Sequence, residues 1–335
     1  MRFVVYGAGA VGGVLGGHLA RDKHDVLLIC REEHARVIRE QDGLRMKSAT
    51  GEYVAPLRAS PVAKASDFDT DTCILFVPKS NDTPSCVEEL AGCAPVDTPL
   101  VSFQNGIANE KTIAEMFTDV YGGVCWMTCS FLHPGQVSFR KFGRVVIGKY
   151  PKGAHAYAKK LGKVFESAGF QAAVSNQIMC DKWLKLVANL KSAFNALIDD
   201  RDLDSVEFNQ LEIGVLEEAK RVLKAGNVRA RSCDGKDFSV DEMIDDLKKP
   251  RAPRVPSAVR VHNSTWQNLY LKRGKTENDY FHGPIVALAQ AHGITVPYNE
   301  VALELVARCA RERTAPGQLR AADILERIHE RKAAS

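Results

Sequence analysis

The feature that most constrains this chain is a glycine turn, Gly7-Ala8-Gly9-Ala10-Val11-Gly12, set between the β-branched run 2–6 (RFVVY) and a helical pattern through Leu15, Leu19 and Ala20. A second apolar run, 26–30 (VLLIC), follows that helix, so the segment reads as a βαβ unit with strands buried on both faces. In such a unit Gly7 permits the tight turn, Gly9 lets the backbone approach a pyrophosphate, and Gly12 lets helix and strand pack closely. The helix N-terminus then turns its N–H groups toward the phosphate charge. This spacing, in this context, predicts a dinucleotide cofactor held on Gly7, Ala8, Gly9, Ala10, Val11 and Gly12.

The first half continues in the same manner. Residues 72–77 (TCILFV) and 100–103 (LVSF) read as strands, separated by helical segments near 87–90 and 110–116. That alternation is the mark of an α/β, Rossmann-like doubly wound parallel sheet. Residues 44–59 alternate around Thr50-Gly51 and read as a hairpin insert. Residues 137–139 and 145–149 read as edge strands, followed by a helix over 154–166 and a last strand at 171–174. From Met179 onward the periodicity is helical, over 179–197, 203–225, 240–247, 261–272, 278–292 and 299–311. The 335 residues suit two domains, a dinucleotide-binding domain over 1–176 and an all-α C-terminal domain over 177–335. A final amphipathic helix carries Leu319, Ile324, Leu325 and Ile328, an apolar face expected to serve docking or oligomer contact.

Charge excludes some partners. The excess of 45 Lys+Arg over 41 Asp+Glu, a formal +4, is too small to mark a nucleic-acid or anionic-membrane surface. No apolar run reaches the length of about 18 residues that spans a bilayer. The N-terminus runs straight into the strand and glycine turn and does not read as a signal peptide. Nine cysteines without a C-x-x-C pair read as buried, reduced thiols of a cytoplasmic protein. His18, His262, His282 and His292 lack ligand spacing, so no metal site is expected. The basic stretch 248–256, with three prolines, reads either as a stiff solvated connection or as a loop bordering the entry path of an anionic substrate.

The candidate chemistry gathers at strand ends and on one helix. At the end of the second strand stand Arg31-Glu32: an arginine there suits a 2′-phosphate, a carboxylate suits a 2′-hydroxyl. Arg31 comes first after Cys30, which favours NADP, as NADPH. Lys79 and Gln104-Asn105-Gly106 follow two other strands at their carboxyl ends, where open α/β sheets bind ligands. Lys185 and Asn189, at i and i+4, share one face of an apolar helix and call for a polar cleft. Lys182 and Lys191 are expected to be exposed.

In these stretches, together with Ser264, Thr276-Glu277-x-Asp279-Tyr280, Gly283, His292-Gly293-Ile294 and Pro297-x-Asn299, the chain resembles the ketopantoate reductase (2-dehydropantoate 2-reductase) family over nearly its whole length. The resemblance implies NADPH-dependent reduction of a small-molecule 2-oxo acid, in a cleft between a Rossmann domain and a helical domain. It further implies a cytoplasmic homodimer in pantothenate biosynthesis. By the same resemblance Lys185 is the general acid. Glu277 sits at the nicotinamide end, Asn189 and Ser264 orient substrate, and Lys79 and Asn105 contact the cofactor. The chain departs from the family at Ala193, where a second substrate asparagine is common, by an extra residue between Gln267 and Glu277, and by an enlarged region 226–258. Two other readings are a reductase of another 2-oxo acid, forming a D-2-hydroxy acid such as mandelate, and a non-catalytic NADP-binding sensor.

Overall fold

The computed structural model describes residues 1–140, 143–250 and 262–333. Two compact units share the chain, one of residues 1–182 with 262, the other of residues 183–250 and 263–333. In order, the first holds β1 (Arg2–Tyr6), α1 (Ala10–Arg21), β2 (Asp25–Ile29), α2 (Glu32–Glu40), β3 (Leu44–Ser48), β4 (Gly51–Ala55), β5 (Arg58–Ser60), β6 (Thr72–Phe76) and α3 (Thr83–Ala91). It continues through β7 (Leu100–Ser102), α4 (Asn109–Ala114), β8 (Val120–Trp126), β9 (Cys129–His133), β10 (Gln136–Phe139), β11 (Arg144–Lys149), α5 (Ala156–Ser167) and β12 (Gln171–Val174). Helix α6 (Ile178–Leu190) starts in the first unit, and the division falls within it, after Lys182. The second unit adds α7 (Ser192–Leu197), α8 (Val206–Ala225), α9 (Val240–Lys248), α10 (Ser264–Tyr270), α11 (His282–Ala291), α12 (Pro297–Arg311) and α13 (Ala321–Ala333).

The main sheet runs β12-β11-β8-β7-β6-β1-β2-β5. Its pairs are parallel apart from β8 with β11, and the order reverses at β1, between β2 and β6. Strand β8 escapes the sequence pattern because Gly122-Gly123 dilutes its apolar run. Both glycines are demanded by crowding: a Cβ on Gly123 would fall 2.4 Å from the Phe103 ring, and one on Gly122 would fall 2.9 Å from Ile178. The expectation of edge strands at 137–139 and 145–149 fails. Val145, Val146 and Ile147 have no exposed surface and lie inside the main sheet, with β12 on its edge. An uninterrupted apolar triplet is what an interior strand requires.

Strand β10 instead joins a second sheet, β4-β3-β10-β9, which includes the expected hairpin. Its inward side chains, Leu44, Met46, Val137 and Phe139, are buried, whereas Arg45 and Lys47 alternate outward. Helix α1 is packed between the two sheets. A Cβ on Gly16 would fall 2.7 Å from Leu28 of the main sheet, one on Gly13 2.7 Å from Val137, and one on Gly17 2.5 Å from the Met46 sulfur. Its paired glycines therefore thin the helix on both faces.

In the helical unit, caps set the boundaries. The Ser205 hydroxyl accepts from Phe208 N at 3.0 Å and starts α8 at Val206, three residues later than the periodicity suggests. Asn263 caps α10 through Trp266 N at 2.9 Å; the helix covers part of the expected 261–272, whose first residue lies outside the described residues. The span 179–197 is two helices joined at Lys191, and 278–292 is a 3-10 turn, Asn278–Tyr280, followed by α11. A buried carboxylate caps α12 from another helix: Glu218 accepts from Tyr298 N and Asn299 N, both at 3.0 Å, and burial raises its pKa. The apolar face of α13 is covered by this chain itself. Ile324, Leu325 and Ile328 are buried where α13 packs on α8 and α12, which is the docking alternative of the expectation. Of the basic stretch, residues 251–256 lie outside the described residues. No described helix is long and apolar enough to cross a membrane.

Candidate functional site

Register aligns the strand ends of the first unit. Tyr6 stands opposite Ile29 and Phe76, and Phe76 opposite Ser102. The glycine turn, Arg31, Pro78-Lys79 and Gln104-Asn105-Gly106 therefore leave the sheet at one edge, the carboxyl ends of its parallel strands. Gly7 and Ala8 both donate to Ile29 O at 3.0 Å, which pins the turn to β2. Gly7 has φ +86°, and a Cβ there would fall 2.5 Å from the Pro78 backbone nitrogen. A Cβ on Gly9 would meet nothing within 4 Å. Gly9 opens α1 without a side-chain cap, so the first-turn N–H groups face that space. Open room beside uncapped donors fits the pyrophosphate of a dinucleotide.

The two glycines should respond differently to a methyl group. Gly7→Ala combines left-handed strain with a backbone clash and is expected to lower stability by about 2 kcal/mol or more. Gly9→Ala should melt within about 2 °C of the wild type yet weaken dinucleotide binding about tenfold or more. Thermal melts and cofactor titrations of both variants check this; equal loss of stability would contradict it.

Arg31 precedes α2 and is exposed. The neighbouring Glu32 is turned along the helix, its Oε1 accepting from Arg39 Nη2 at 2.7 Å.

The loops after β6 and β7 are held by one buried polar network. Gln104 Nε2 donates to Pro78 O at 2.9 Å and to Thr83 Oγ1 at 2.7 Å, and Thr83 Oγ1 donates to Asn109 Oδ1 at 2.9 Å. Asn109 Nδ2 donates to Asn105 O at 2.8 Å and to Ser80 Oγ at 3.2 Å. Lys79 and Asn105, both half-buried, ride on this network, and Gly106 takes φ +84°. Lys182 enters from just past the first turn of α6. Its Nζ pairs with Glu110 and donates to Gln104 O at 3.1 Å. It is 2% exposed, which overturns the expectation of a surface lysine: its stem crosses Gly122, where a Cβ would lie 3.5 Å from Lys182 Cδ.

The other candidates belong to the helical unit. Lys185 and Asn189 are half-buried, one turn apart on α6, among the fully buried Leu184, Leu186 and Val187. Ser264 is the first residue of α10, and Glu277, 8% exposed, directly precedes the 3-10 turn. Their neighbours are bonded: Thr265 Oγ1 donates to Asn278 Oδ1 at 3.1 Å and lies 3.4 Å from Ser192 Oγ. Asn263 Nδ2 donates to Ser192 O at 3.2 Å, so the starts of α7 and α10 and the turn after Glu277 form one cluster. Ala193 has no exposed surface, and Asn195 is engaged with Glu212 at 2.7 Å.

Sequence reading missed Lys182, Glu110, Thr265 and Asn278. The available signals were a second lysine three residues before Lys185 in the same apolar run, and polar residues adjoining Ser264 and Glu277.

Two family models match the chain, one described as Ketopantoate reductase PanE/ApbA over residues 3–152 and one as Ketopantoate reductase PanE/ApbA C terminal over residues 177–310. A 2-dehydropantoate 2-reductase of Pyrococcus horikoshii is 29% identical over 313 residues, 91% of this chain and 96% of the relative. One from Halobacterium salinarum is 27% identical over 318 residues, 93% of this chain and 100% of the relative. Among solved structures, a PanE/ApbA family ketopantoate reductase from Ralstonia eutropha superposes with TM-score 0.76 at 28% identity, covering 93% of this chain and 99% of the other. A D-mandelate dehydrogenase solved with NADH and anilino(oxo)acetate gives TM-score 0.78 at 23% identity, covering 94% and 100%, a likeness of fold.

Proposed function

The chain belongs to the ketopantoate reductase PanE/ApbA family, and from that premise we propose that it reduces a 2-oxo acid to a 2-hydroxy acid with NADPH, 2-dehydropantoate to pantoate. The observation that carries this reading is the pair Lys185 and Asn189, half-buried one turn apart on α6 beside the fully buried Leu184, Leu186 and Val187. NADPH, when bound, supplies the hydride that adds to the substrate's C2. The carbonyl oxygen then gathers negative charge, and Lys185 stabilises that charge and donates a proton from Nζ to the same oxygen. Asn189 and Ser264 orient the carboxylate and carbonyl, and Glu277 holds the substrate hydroxyl or the nicotinamide end. Gly7 to Gly12 bind the pyrophosphate, and Lys79 and Asn105 contact the cofactor. A cytoplasmic homodimer in pantothenate biosynthesis goes with the same proposal.

The choice of NADPH is supported by the ion pair of Glu32 with Arg39, which engages the carboxylate that would otherwise favour a 2′-hydroxyl and makes Arg31 the side chain for a 2′-phosphate. Arg31→Ala should raise KM for NADPH by about 10- to 100-fold, the size of one charge-assisted contact, and leave KM for NADH nearly unchanged. Steady-state kinetics with both cofactors tests it, and parallel changes would refute it.

Ala193 favours a second reading. Its buried methyl offers a substrate hydroxyl no partner, so another 2-oxo acid, such as the one reduced to D-mandelate, is the alternative substrate. NADPH oxidation with 2-dehydropantoate, phenylglyoxylate and 2-oxoisovalerate decides between the two: the highest kcat/KM should fall to 2-dehydropantoate, and turnover of none of the three would refute both.

A further inference from the structure

We propose that the buried Lys182–Glu110 pair is a positioning element for the cofactor loops, fixing the Gln104-Asn105-Gly106 turn and, through Gln104 and Asn109, the turn that carries Lys79. This rests on the reading of Asn105 and Lys79 as cofactor contacts.

Lys182 and Glu110 are 2% and 0% exposed. A pair so deeply buried is a poor device for stability, because desolvation of both ions offsets their attraction and apolar side chains of similar volume fill such a space as well. What apolar residues cannot do is hold a carbonyl. An ammonium has three donors, and Lys182 uses one on Gln104 O at 3.1 Å beside its bond to Glu110. Gln104 O belongs to the peptide immediately before Asn105. The next carbonyl, Asn105 O, accepts from Asn109 Nδ2 at 2.8 Å and from Ser80 Oγ at 3.3 Å. Both peptides that flank the Asn105 side chain are thus fixed by buried donors, and Gly106, at φ +84°, lets the chain turn away directly afterwards.

The anchor is itself held. Asp181, in the first turn of α6 and next to Lys182, accepts from Ser175 Oγ at 2.6 Å. Glu110 follows Asn109 in α4, so one short helix supplies both the counter-ion of Lys182 and the amide that holds Asn105 O. Gln104 extends the constraint to the β6 loop through its bonds to Pro78 O and Thr83 Oγ1. A peptide rotation at 104–105 would strip a buried ammonium of an acceptor, so the network holds the turn in one shape before any ligand arrives.

The test is NADPH binding by calorimetry to the full-length protein. K182M/E110L replaces the pair by apolar side chains and should still fold, with a modest loss of stability from the Gln104 carbonyl left without its donor. Its Kd for NADPH should nevertheless rise about tenfold or more, with the loss appearing in cofactor KM rather than in kcat at saturating cofactor. Asn105→Ala should weaken binding much less in the K182M/E110L background than in the wild type, because the turn no longer presents that residue. Asn109→Ala, which removes the bond to Asn105 O and leaves the ion pair, is the second variant and should weaken binding in the same way, so a K182M/E110L protein that fails to fold still leaves a measurement. Wild-type affinity in the folded variants, or strict additivity with Asn105→Ala, would overturn the positioning role. A wild-type protein that binds neither NADPH nor NADH would instead overturn the cofactor reading on which it rests.

Discussion

Replacing Lys185 by alanine should lower kcat by about 10²- to 10⁴-fold, the usual contribution of a positioned proton donor, while the Kd for NADPH stays within about threefold. Lys185 is proposed to act on the substrate carbonyl, in a unit separate from the glycine turn, so its loss should register in the chemical step. Around it Leu184, Leu186 and Val187 are fully buried, which leaves its amine the polar group of that helical segment together with Asn189. Lys185→Arg should rescue little, because a guanidinium with a pKa above about 12 releases a proton far less readily than an ammonium. Single-turnover kinetics at saturating NADPH measures the step directly, and turnover within about tenfold of wild type would remove Lys185 from the acid's role.

Acid should destabilise the fold well before its carboxylates titrate, through three histidines held neutral by burial. His18, ringed by Tyr53, Phe139 and Phe170, is lowered from 6.5 to about 4 by desolvation, with the Arg21 charge acting in the same direction. Burial also lowers His34 to about 4; its Nδ1 accepts from Gly135 N at 2.8 Å, a bond that protonation would break. Burial lowers His282 to about 4 against the opposing effect of the hydrogen bond that its Nδ1 donates to Asn299 Oδ1 at 2.9 Å. In each case the unfolded chain takes up a proton first as pH falls. The stabilisation is therefore complete above pH 6.5 and is lost progressively toward pH 4, by at most about 3 kcal/mol per histidine. Glu218 opposes the trend, because its raised pKa means that acid relieves a buried charge. Urea denaturation at pH 7.5, 6 and 5 should show midpoints falling from the second value onward, and a constant midpoint would refute the assignment.

Much of the first unit is legible from local pattern, because the glycine spacing and the continuous apolar strands are local properties. The turn at Gly7, the parallel strands β2, β6 and β7, and β12 at residues 171–174 all follow from short windows of sequence. Failures came where a residue's environment is supplied from far along the chain. Gly122 and Gly123 look like strand breakers until Ile178 and Phe103 are brought against them. Lys182 looks like a surface residue until Glu110, 72 positions earlier, meets it. The apolar face of α13 can be read from its period, but its cover, α8 and α12, cannot. The candidate site divides in the same way. The glycine turn and the spacing of Lys185 and Asn189 are written locally, whereas Thr265 and Asn278 acquire a role only when α10 meets the turn after Glu277.

Helix α1, enclosed by the two sheets, bears on the thermodynamics of the dinucleotide binding proposed at its N-terminus. Nine of its residues, from Gly12 to Ala20, are buried, so the donors at its start belong to one of the best-packed elements of the unit. A binding loop that must be ordered by its ligand forfeits affinity to lost conformational entropy. In the proposed binding mode the amides that would receive the anion start a helix already held by the core of the unit, so the free energy of that contact would appear as affinity nearly undiminished.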